Sequence, residues 1–391
     1  MTSKTKTWLW EPTKRLSRNL HWAMTALLVL AFVPALRLAG LPLRLDWETF
    51  LTVYWISLAL RSICVAILFY VLGFPVRETL VPLWERYRRQ KLRLLVVAAF
   101  AALMFWELGW LGGLLLSVDT VAFLEFFDRI AGAPATLGRT GRDVFIPAVY
   151  LFAGLVLVFC YNDVIAALKF AGSYDAAFNR VDSILLYGLN VSLLAHDAAR
   201  WFPFWGFALL QSVYFGMFGQ IGAALLFTAL YFGRQRSLQF VGVVLTSFYI
   251  ALAIFLFWPS MGPFAICPDH FSRLPGPLGI YATQKTFLLK AQLLAAHRLA
   301  PLISTDYYIG FPCMHVVQPL IVLWFLRPWK GIVVALALYD LVLVASILLL
   351  EQHYVVDLIG GAVVAAFAIT MVDHNDIEKA LGRGNRTSKA P

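Results

Sequence analysis

Charged residues are scarce in this chain: Asp, Glu, Lys and Arg make up 14% of its 391 residues. Soluble proteins carry about 25% charged residues, so a soluble globular protein is excluded. Hydrophobic residues make up 61% of the chain and lie in long runs, which predicts an integral membrane protein. The net charge of +10 does not indicate nucleic-acid binding, because the basic residues cluster in short loops between apolar runs.

Cysteine is rarer still, with four residues in the chain. Cys64 and Cys160 lie within apolar runs, whereas Cys267 and Cys313 flank one polar loop. No metal-ligand spacing such as CxxC is present. An A-x-A cleavage signal is also lacking after the basic N-terminal segment, so the first apolar run is expected to be an uncleaved span.

Nine apolar runs are candidates for crossing a membrane, which takes about 20 residues for about 30 Å of hydrocarbon. They are 20–38, 50–74, 93–116, 144–168, 205–232, 238–258, 314–328, 331–350 and 356–373. Basic loops at 75–93, 233–237 and 327–331, together with both basic termini, are expected to be cytoplasmic. Termini on one side require an even number of spans, so either the 93–130 region contains a second, weaker crossing or one early candidate does not cross. The sequence therefore predicts an all-α polytopic bundle of eight or ten helices.

Two histidines and an aspartate fall at the opposite, external face under this orientation. Asp357 follows His353 by four residues, so the two side chains share one face of a helix that begins near residue 353. A carboxylate on one ring nitrogen fixes the tautomer and leaves the other nitrogen nucleophilic. His315, from another helix, could protonate a leaving oxygen. The alternative, histidines that merely anchor helix ends at the interface, accounts less well for three such groups on one face.

The segments FPCMH (311–315) and HYVVDLIGG (353–361) resemble motifs of the type 2 phosphatidic acid phosphatase superfamily. They resemble more closely its branch that contains fungal inositol phosphorylceramide synthase and bacterial relatives. Two further segments, FNRVDSILLYG (178–188) and FWPSMGPF (257–264), resemble the same branch. The resemblance implies a phosphatase-like transmembrane core.

The resemblance also divides the chain into three parts. Residues 1–140 are an N-terminal transmembrane region of unknown role, because they match no motif of the branch. Residues 141–373 are the phosphatase or phosphotransferase-like core, and 374–391 form a polar cytoplasmic tail.

The resemblance assigns catalytic roles to three residues. His353 matches the nucleophile, Asp357 its orienting partner and His315 the general acid. Cys313 stands where the motif has serine, and Ile347 stands where a third motif has arginine. The motifs therefore do not identify the phosphate clamp, the positively charged residues that bind the phosphate group. Its candidates, together with Cys313, are the basic residues Lys285, Lys290, Arg298 and Arg180.

Cys313 has two possible states. A disulfide with Cys267 would close the intervening loop, provided that the two Cα atoms lie within about 7 Å. A free thiol is favoured, because the position of Cys313 in the motif places it towards the phosphate.

The function that the resemblance implies is phosphoester cleavage through a phosphohistidine, without metal or cofactor. The substrate would be a lipid phosphate or phospholipid in the bilayer, and the acceptor water or a hydroxyl group. This describes a lipid phosphate phosphatase or a lipid phosphotransferase, with the active site on the external face of a bacterial inner membrane. The alternative is a catalytically altered transporter or scaffold that retains the fold. The sequence does not indicate the oligomeric state.

The predicted orientation can be tested by labelling. Single cysteines introduced within 265–300 should react with a membrane-impermeant maleimide added to intact cells. Cysteines introduced at 234–236 or 328–331 should react only after permeabilisation, because Lys- and Arg-rich loops stay in the cytoplasm. Labelling of 234–236 but not of 265–300 in intact cells would place the histidines on the cytoplasmic side.

Overall fold

The structure is a computed structural model that describes residues 4–39, 134–169, 173–191, 204–266 and 309–372, with isolated positions within 194–197 and 284–293. Regular structure in these ranges is entirely helical, which confirms the predicted all-α class. The α helices are α1 (Lys4–Ala39), α2 (Pro134–Lys169), α3 (Asp175–Leu185), α4 (Phe204–Phe257), α5 (Met314–Leu326), α6 (Lys330–Leu349) and α7 (Val355–Val372), and a 3-10 helix covers Pro263–Ala265.

Six segments of these helices are long and apolar enough to cross a membrane, which confirms an integral membrane protein. They are Leu20–Ala39, Asp143–Leu168, Leu209–Ala229, Tyr231–Phe257, Lys330–Leu349 and Val355–Val372. Helix α5 is apolar but shorter. The predicted runs 50–74 and 93–116 lie outside the described residues, so the total of eight or ten spans stays a prediction.

Helix α4 contains two spans that meet at Gly233. This residue has φ +76° and ψ −178°, a left-handed conformation that residues with a Cβ atom rarely adopt. Ser237 donates a hydrogen bond from Oγ to the Gly233 carbonyl oxygen (3.0 Å), and the Arg236 guanidinium lies 4.1 Å above the Phe325 ring. The basic segment 233–237 is therefore a tight connection between two spans, as the sequence predicted.

The core of the bundle forms around α4, which packs against α2, α5, α6 and α7. Polar side chains inside it bond to each other across helices. Gln220 donates to Asp340 (2.8 Å), and Gln318 donates to Ser247 (3.0 Å). Such pairs satisfy polar groups that hydrocarbon would leave without partners.

Helix α1 belongs to the predicted N-terminal region, yet it packs against α2 and α4. The Thr25 hydroxyl lies 2.8 Å from the Tyr249 hydroxyl, and the Tyr161 hydroxyl donates to the Leu28 carbonyl oxygen (2.6 Å). The remainder of residues 1–140 is largely outside the described residues. The boundary at residue 140 therefore stays a prediction.

Three connections between helices meet at one end of the bundle. The Gly310 N–H donates to the Ser260 carbonyl oxygen (2.7 Å), and the Phe264 N–H donates to the Glu351 carbonyl oxygen (3.3 Å). The segments 258–264, 309–313 and 350–354 are thereby joined through their backbones. Both histidines of the predicted cluster lie at or beside this junction.

Candidate active site

The start of α5 is fixed against the start of α7. Cys313 is the N-cap residue of α5, and the Phe311–Pro312 peptide before it is cis. The Cys313 N–H donates to the Asp357 carbonyl oxygen (3.0 Å). A Cβ atom on Gly361 would lie 2.5 Å from the Cys313 carbonyl oxygen, so only glycine permits this approach. The arrangement brings His315, on α5, next to the segment that carries His353.

His353 and Asp357 approach each other as their spacing predicted, with 3.4 Å between Nδ1 and Oδ2. The shorter contact of Nδ1 is to the Gly310 carbonyl oxygen, at 2.8 Å. A carbonyl oxygen can only accept a hydrogen bond, so Nδ1 carries a proton. The Nε2 atom is therefore the ring nitrogen that can act as a nucleophile or ligand. Both side chains are buried, with 4% and 0% exposure.

The Asp357 side chain bonds to the backbone at the start of its own helix. Oδ2 accepts a hydrogen bond from the Tyr354 N–H (2.9 Å), in the first turn of α7. Burial alone would lower the pKa of His353, but the neighbouring Cys313 and Asp357 outweigh it and raise the pKa to about 10. The site therefore stabilises positive charge on the His353 ring.

His315 stacks on an aromatic ring and faces the second histidine. The ring centroids of His315 and Tyr214 are 4.1 Å apart, and those of His315 and His353 are 5.6 Å apart. Within the described residues, neither ring nitrogen of His315 has a hydrogen-bond partner, although the side chain is only 9% exposed. Buried polar atoms without partners are rare, and a bound water, ion or substrate is one explanation for them. Both nitrogens are available to a bound substrate.

Cys313 completes the cluster. Its thiol is free and buried. The ligand atoms of Cys313, His315 and His353 all lie within 4.8 Å of one another. Cys267, the possible disulfide partner, is outside the described residues.

Asp182 holds the first turn of α7 from a distant part of the sequence. Its carboxylate accepts hydrogen bonds from the Val355 N–H (2.6 Å) and the Val356 N–H (2.8 Å). The first N–H groups of a helix have no partner within the helix, so this carboxylate caps α7. Burial raises the pKa of Asp182, while the two hydrogen bonds oppose that change. Asp182 thus positions the helix that begins beside His353.

Asp175 has a similar role towards the segment 258–264. Its Oδ1 atom accepts from the Met261 N–H (3.0 Å) and the Gly262 N–H (2.9 Å). Burial raises the pKa of this carboxyl to about 6. A Cβ atom on Gly262 would lie 2.2 Å from the Gln352 carbonyl oxygen. The turn is therefore in close contact with the residue before His353, and this contact requires glycine. Sequence reasoning missed Asp175, since its partners are far away along the chain.

The candidate phosphate-binding residues are only partly described. Arg180 lies in α3 and its side chain is exposed, whereas the side chains of His315 and His353 are buried. Lys285, Lys290 and Arg298 are outside the described residues, and the role of all four stays a prediction. Gln284, the residue before Lys285, donates from Nε2 to the Leu350 carbonyl oxygen (2.9 Å). This bond holds Gln284 near the turn before His353.

The third motif of the resemblance is represented by Ser346 and Ile347, and both side chains pack between helices. Ser346 donates from Oγ to the Leu210 carbonyl oxygen (2.5 Å) and so joins α6 to α4. Ile347, at the position of the motif arginine, is fully buried and packs in one cluster with Cys313 and Val213. Neither side chain offers the site a positive charge.

Comparison with known proteins supports one assignment. Residues 188–371 match the model of the PAP2 superfamily, the type 2 phosphatidic acid phosphatase superfamily of the sequence prediction. The match covers α4 to α7 and contains Cys313, His315, His353 and Asp357. It supports a phosphatase-like enzyme in general. No curated protein and no solved structure matches the chain.

The capping role of Asp182 predicts a graded mutational response. Asp182→Ala should lower the stability of the protein by about 1 kcal/mol, because the cap of α7 is lost. It should also lower turnover, because the start of α7 positions His353 and Asp357. Asp182→Asn should lose less of both, since an amide oxygen still accepts a hydrogen bond. Thermal melting and phosphate release from the purified protein in detergent measure the two effects.

A control for this prediction lies on the same short helix. Ile184 is 72% exposed, so Ile184→Ala should leave melting and turnover unchanged. Wild-type melting and turnover in Asp182→Ala would show that the cap does not position the site.

Proposed function

We propose that this protein is a membrane lipid phosphatase or phosphotransferase that cleaves a phosphoester through a phosphohistidine on His353. The observation that carries the proposal is the state of the His353 ring. Gly310 and Asp357 hold the protonated Nδ1 atom, and this leaves Nε2 as the reactive nitrogen. Ligand atoms of His353, His315 and Cys313 lie within 4.8 Å of one another. The superfamily match over residues 188–371 supports the same chemistry.

The reaction divides between the two histidines. The Nε2 atom of His353, in the form protonated at Nδ1 alone, attacks phosphorus. The bond to the leaving oxygen breaks, and His315 gives that oxygen a proton. His315 then takes a proton from the acceptor, whose oxygen attacks the phosphohistidine and frees His353. The ring of His353 gains positive charge on attack, and the buried Asp357 carboxylate stabilises that charge.

The acceptor decides between the two activities. Water gives a phosphatase, and a hydroxyl group of inositol, ceramide or a glycan gives a phosphotransferase. The resemblance to the inositol phosphorylceramide synthase branch favours transfer or action on a specialised lipid. We place the site on the external face of a bacterial inner membrane, because the basic loops 233–237 and 327–331 are expected in the cytoplasm.

A second reading is a transporter or scaffold that kept the fold without catalysis. It is favoured by Ile347, an apolar and fully buried residue at the position of the motif arginine. The described residues of the histidine cluster also contain no lysine or arginine. The two readings differ in whether purified protein turns over any lipid phosphate in detergent, with and without hydroxyl acceptors.

Substitutions at the nucleophile test the proposal directly. His353→Ala should abolish turnover while the protein stays folded, because the nucleophile is gone but α7 remains capped. Asp357→Asn should lower turnover by several orders of magnitude, since the tautomer of His353 is no longer fixed. Turnover and trapping of labelled phosphate on the protein measure both effects.

His21 provides a matched control for these variants. It is another buried histidine, on α1, where its ring lies beside Trp22 and Tyr150. His21→Phe should therefore keep wild-type turnover. If His353→Ala retained more than about a tenth of the wild-type rate, a loss of only ~1.4 kcal/mol, His353 would not be the nucleophile.

The thiol of Cys313 gives a separate prediction. Cys313→Ser should preserve or raise turnover, because a hydroxyl is a stronger hydrogen-bond donor to a phosphoryl oxygen than a thiol. Cys160→Ser, at the buried free thiol of α2, is the control for a general effect of losing a cysteine. An inactive but folded Cys313→Ser would show that the sulfur itself is required.

A further inference from the structure

The cluster at the end of the bundle contains the donor atoms of a metal site. One sulfur and two imidazoles converge from two segments that the fold brings together, the start of α5 and the turn before α7. Cys313, His315 and His353 are each at least nine-tenths buried. Thiolate and imidazole are ligands that zinc and related late transition metals prefer, whereas magnesium and calcium prefer oxygen.

The hydrogen bonds of the cluster leave the required nitrogens available. Gly310 and Asp357 both contact Nδ1 of His353, which leaves Nε2 as the ring nitrogen that can bond to an ion. A carbonyl or carboxylate on the far nitrogen is the usual second shell of a metal-bound histidine. Both nitrogens of His315 are buried without a hydrogen-bond partner in the described part of the chain. The lack of a hydrogen-bond partner for this ring points to a ligand, and it does so independently of Cys313.

The geometry is close to that of a tetrahedral site. Zinc bonds of about 2.0–2.3 Å place ligand atoms about 3.3–3.8 Å apart, so atoms within 4.8 Å need to approach by about 1 Å. Rotation of the His315 ring against Tyr214 can supply part of this approach. Three protein ligands leave the fourth position of the ion open to water or to an oxygen of a phosphate group.

We propose that Cys313, His315 and His353 bind a zinc-class divalent cation at the position that the phosphoryl group occupies during turnover. On binding, the Cys313 thiol loses its proton to solvent, and its sulfur and one nitrogen of each histidine bond to the ion. The ion engages the His353 nitrogen that attacks phosphorus and also the His315 ring that donates the proton. It therefore inhibits the enzyme. The inhibition rests on the proposed function, whereas the binding does not.

Cobalt(II) is the probe for binding, since cobalt–thiolate bonds give a near-ultraviolet charge-transfer band that imidazole alone does not. The test uses the full-length protein in detergent, with Cys64, Cys160 and Cys267 all replaced by alanine. Adding Co²⁺ should produce the band, and Zn²⁺ should remove it by displacement. Cys313→Ser in this background should abolish the band and weaken Zn²⁺ binding by more than about 100-fold.

A second variant separates ligand loss from misfolding. His315→Gln keeps the thiol and a polar side chain of similar size, and it should weaken Zn²⁺ binding by at least about 10-fold. Melting temperature and elution volume identify folded samples of each variant. A thiolate band that persists in folded Cys313→Ser, or that never forms in the folded background protein, would overturn the proposal.

The inhibition is measured on the protein with its natural cysteines. Zn²⁺ should suppress turnover, and a chelator should restore it fully. The concentration that halves the rate should rise at least about 10-fold in Cys313→Ser, measured against that variant's own rate. If Cys313-dependent Co²⁺ binding appears in a protein without turnover, the site stands and the proposed function fails. If turnover appears without that binding, the proposed function stands and the site fails.

Discussion

The close approach of the first turns of α5 and α7 is the constraint on which the rest of the site depends. The hydrogen bond from the Cys313 N–H to the Asp357 carbonyl oxygen sets the distance between these turns. Gly360 and Gly361 make the approach sterically possible, since a Cβ atom on either would lie 2.5 Å from an atom of Phe311 or Cys313. The glycine pair that ends the HYVVDLIGG segment is therefore a packing requirement of the site. If the two helices stood further apart, His315 and His353 could not act on one phosphorus atom.

Buried carboxylates hold this junction together, and this has an electrostatic consequence. Asp175 and Asp182 accept hydrogen bonds from backbone N–H groups of two different segments, and Asp357, in α7, lies 3.4 Å from Nδ1 of His353. Three acidic groups close to the site would repel a phosphate anion if no cations balanced them. Within the described residues, the histidine cluster contains no lysine or arginine to balance them. Cations for phosphate binding are therefore expected from elsewhere in the chain, and Lys285, Lys290, Arg298 and Arg180 stay the predicted candidates.

The sequence allowed the helical class and the local part of the site to be predicted. Hydrophobic runs are continuous in the chain, and the His353–Asp357 pair depends on a spacing of four residues. The partner of His353 Nδ1 could not be predicted in this way, because the Gly310 carbonyl oxygen comes from a segment 43 residues earlier. Tyr214 and Asp182 act over still longer separations, and their side chains give no local periodic signal. Long-range contacts of this kind arise from the packing of the bundle.

Cys313 shows how one geometry can serve two ligands. A phosphoryl group and a tetrahedral metal ion both need donors that converge on a point from different directions. With serine at this position, the cluster would offer a hard hydroxyl oxygen, which binds zinc weakly but donates well to phosphate. With cysteine, the same backbone positions a soft sulfur beside two imidazoles. The exchange of one atom therefore changes the ligand preference of the site without altering the helices that build it, and the fold alone does not determine which ligand the cluster binds.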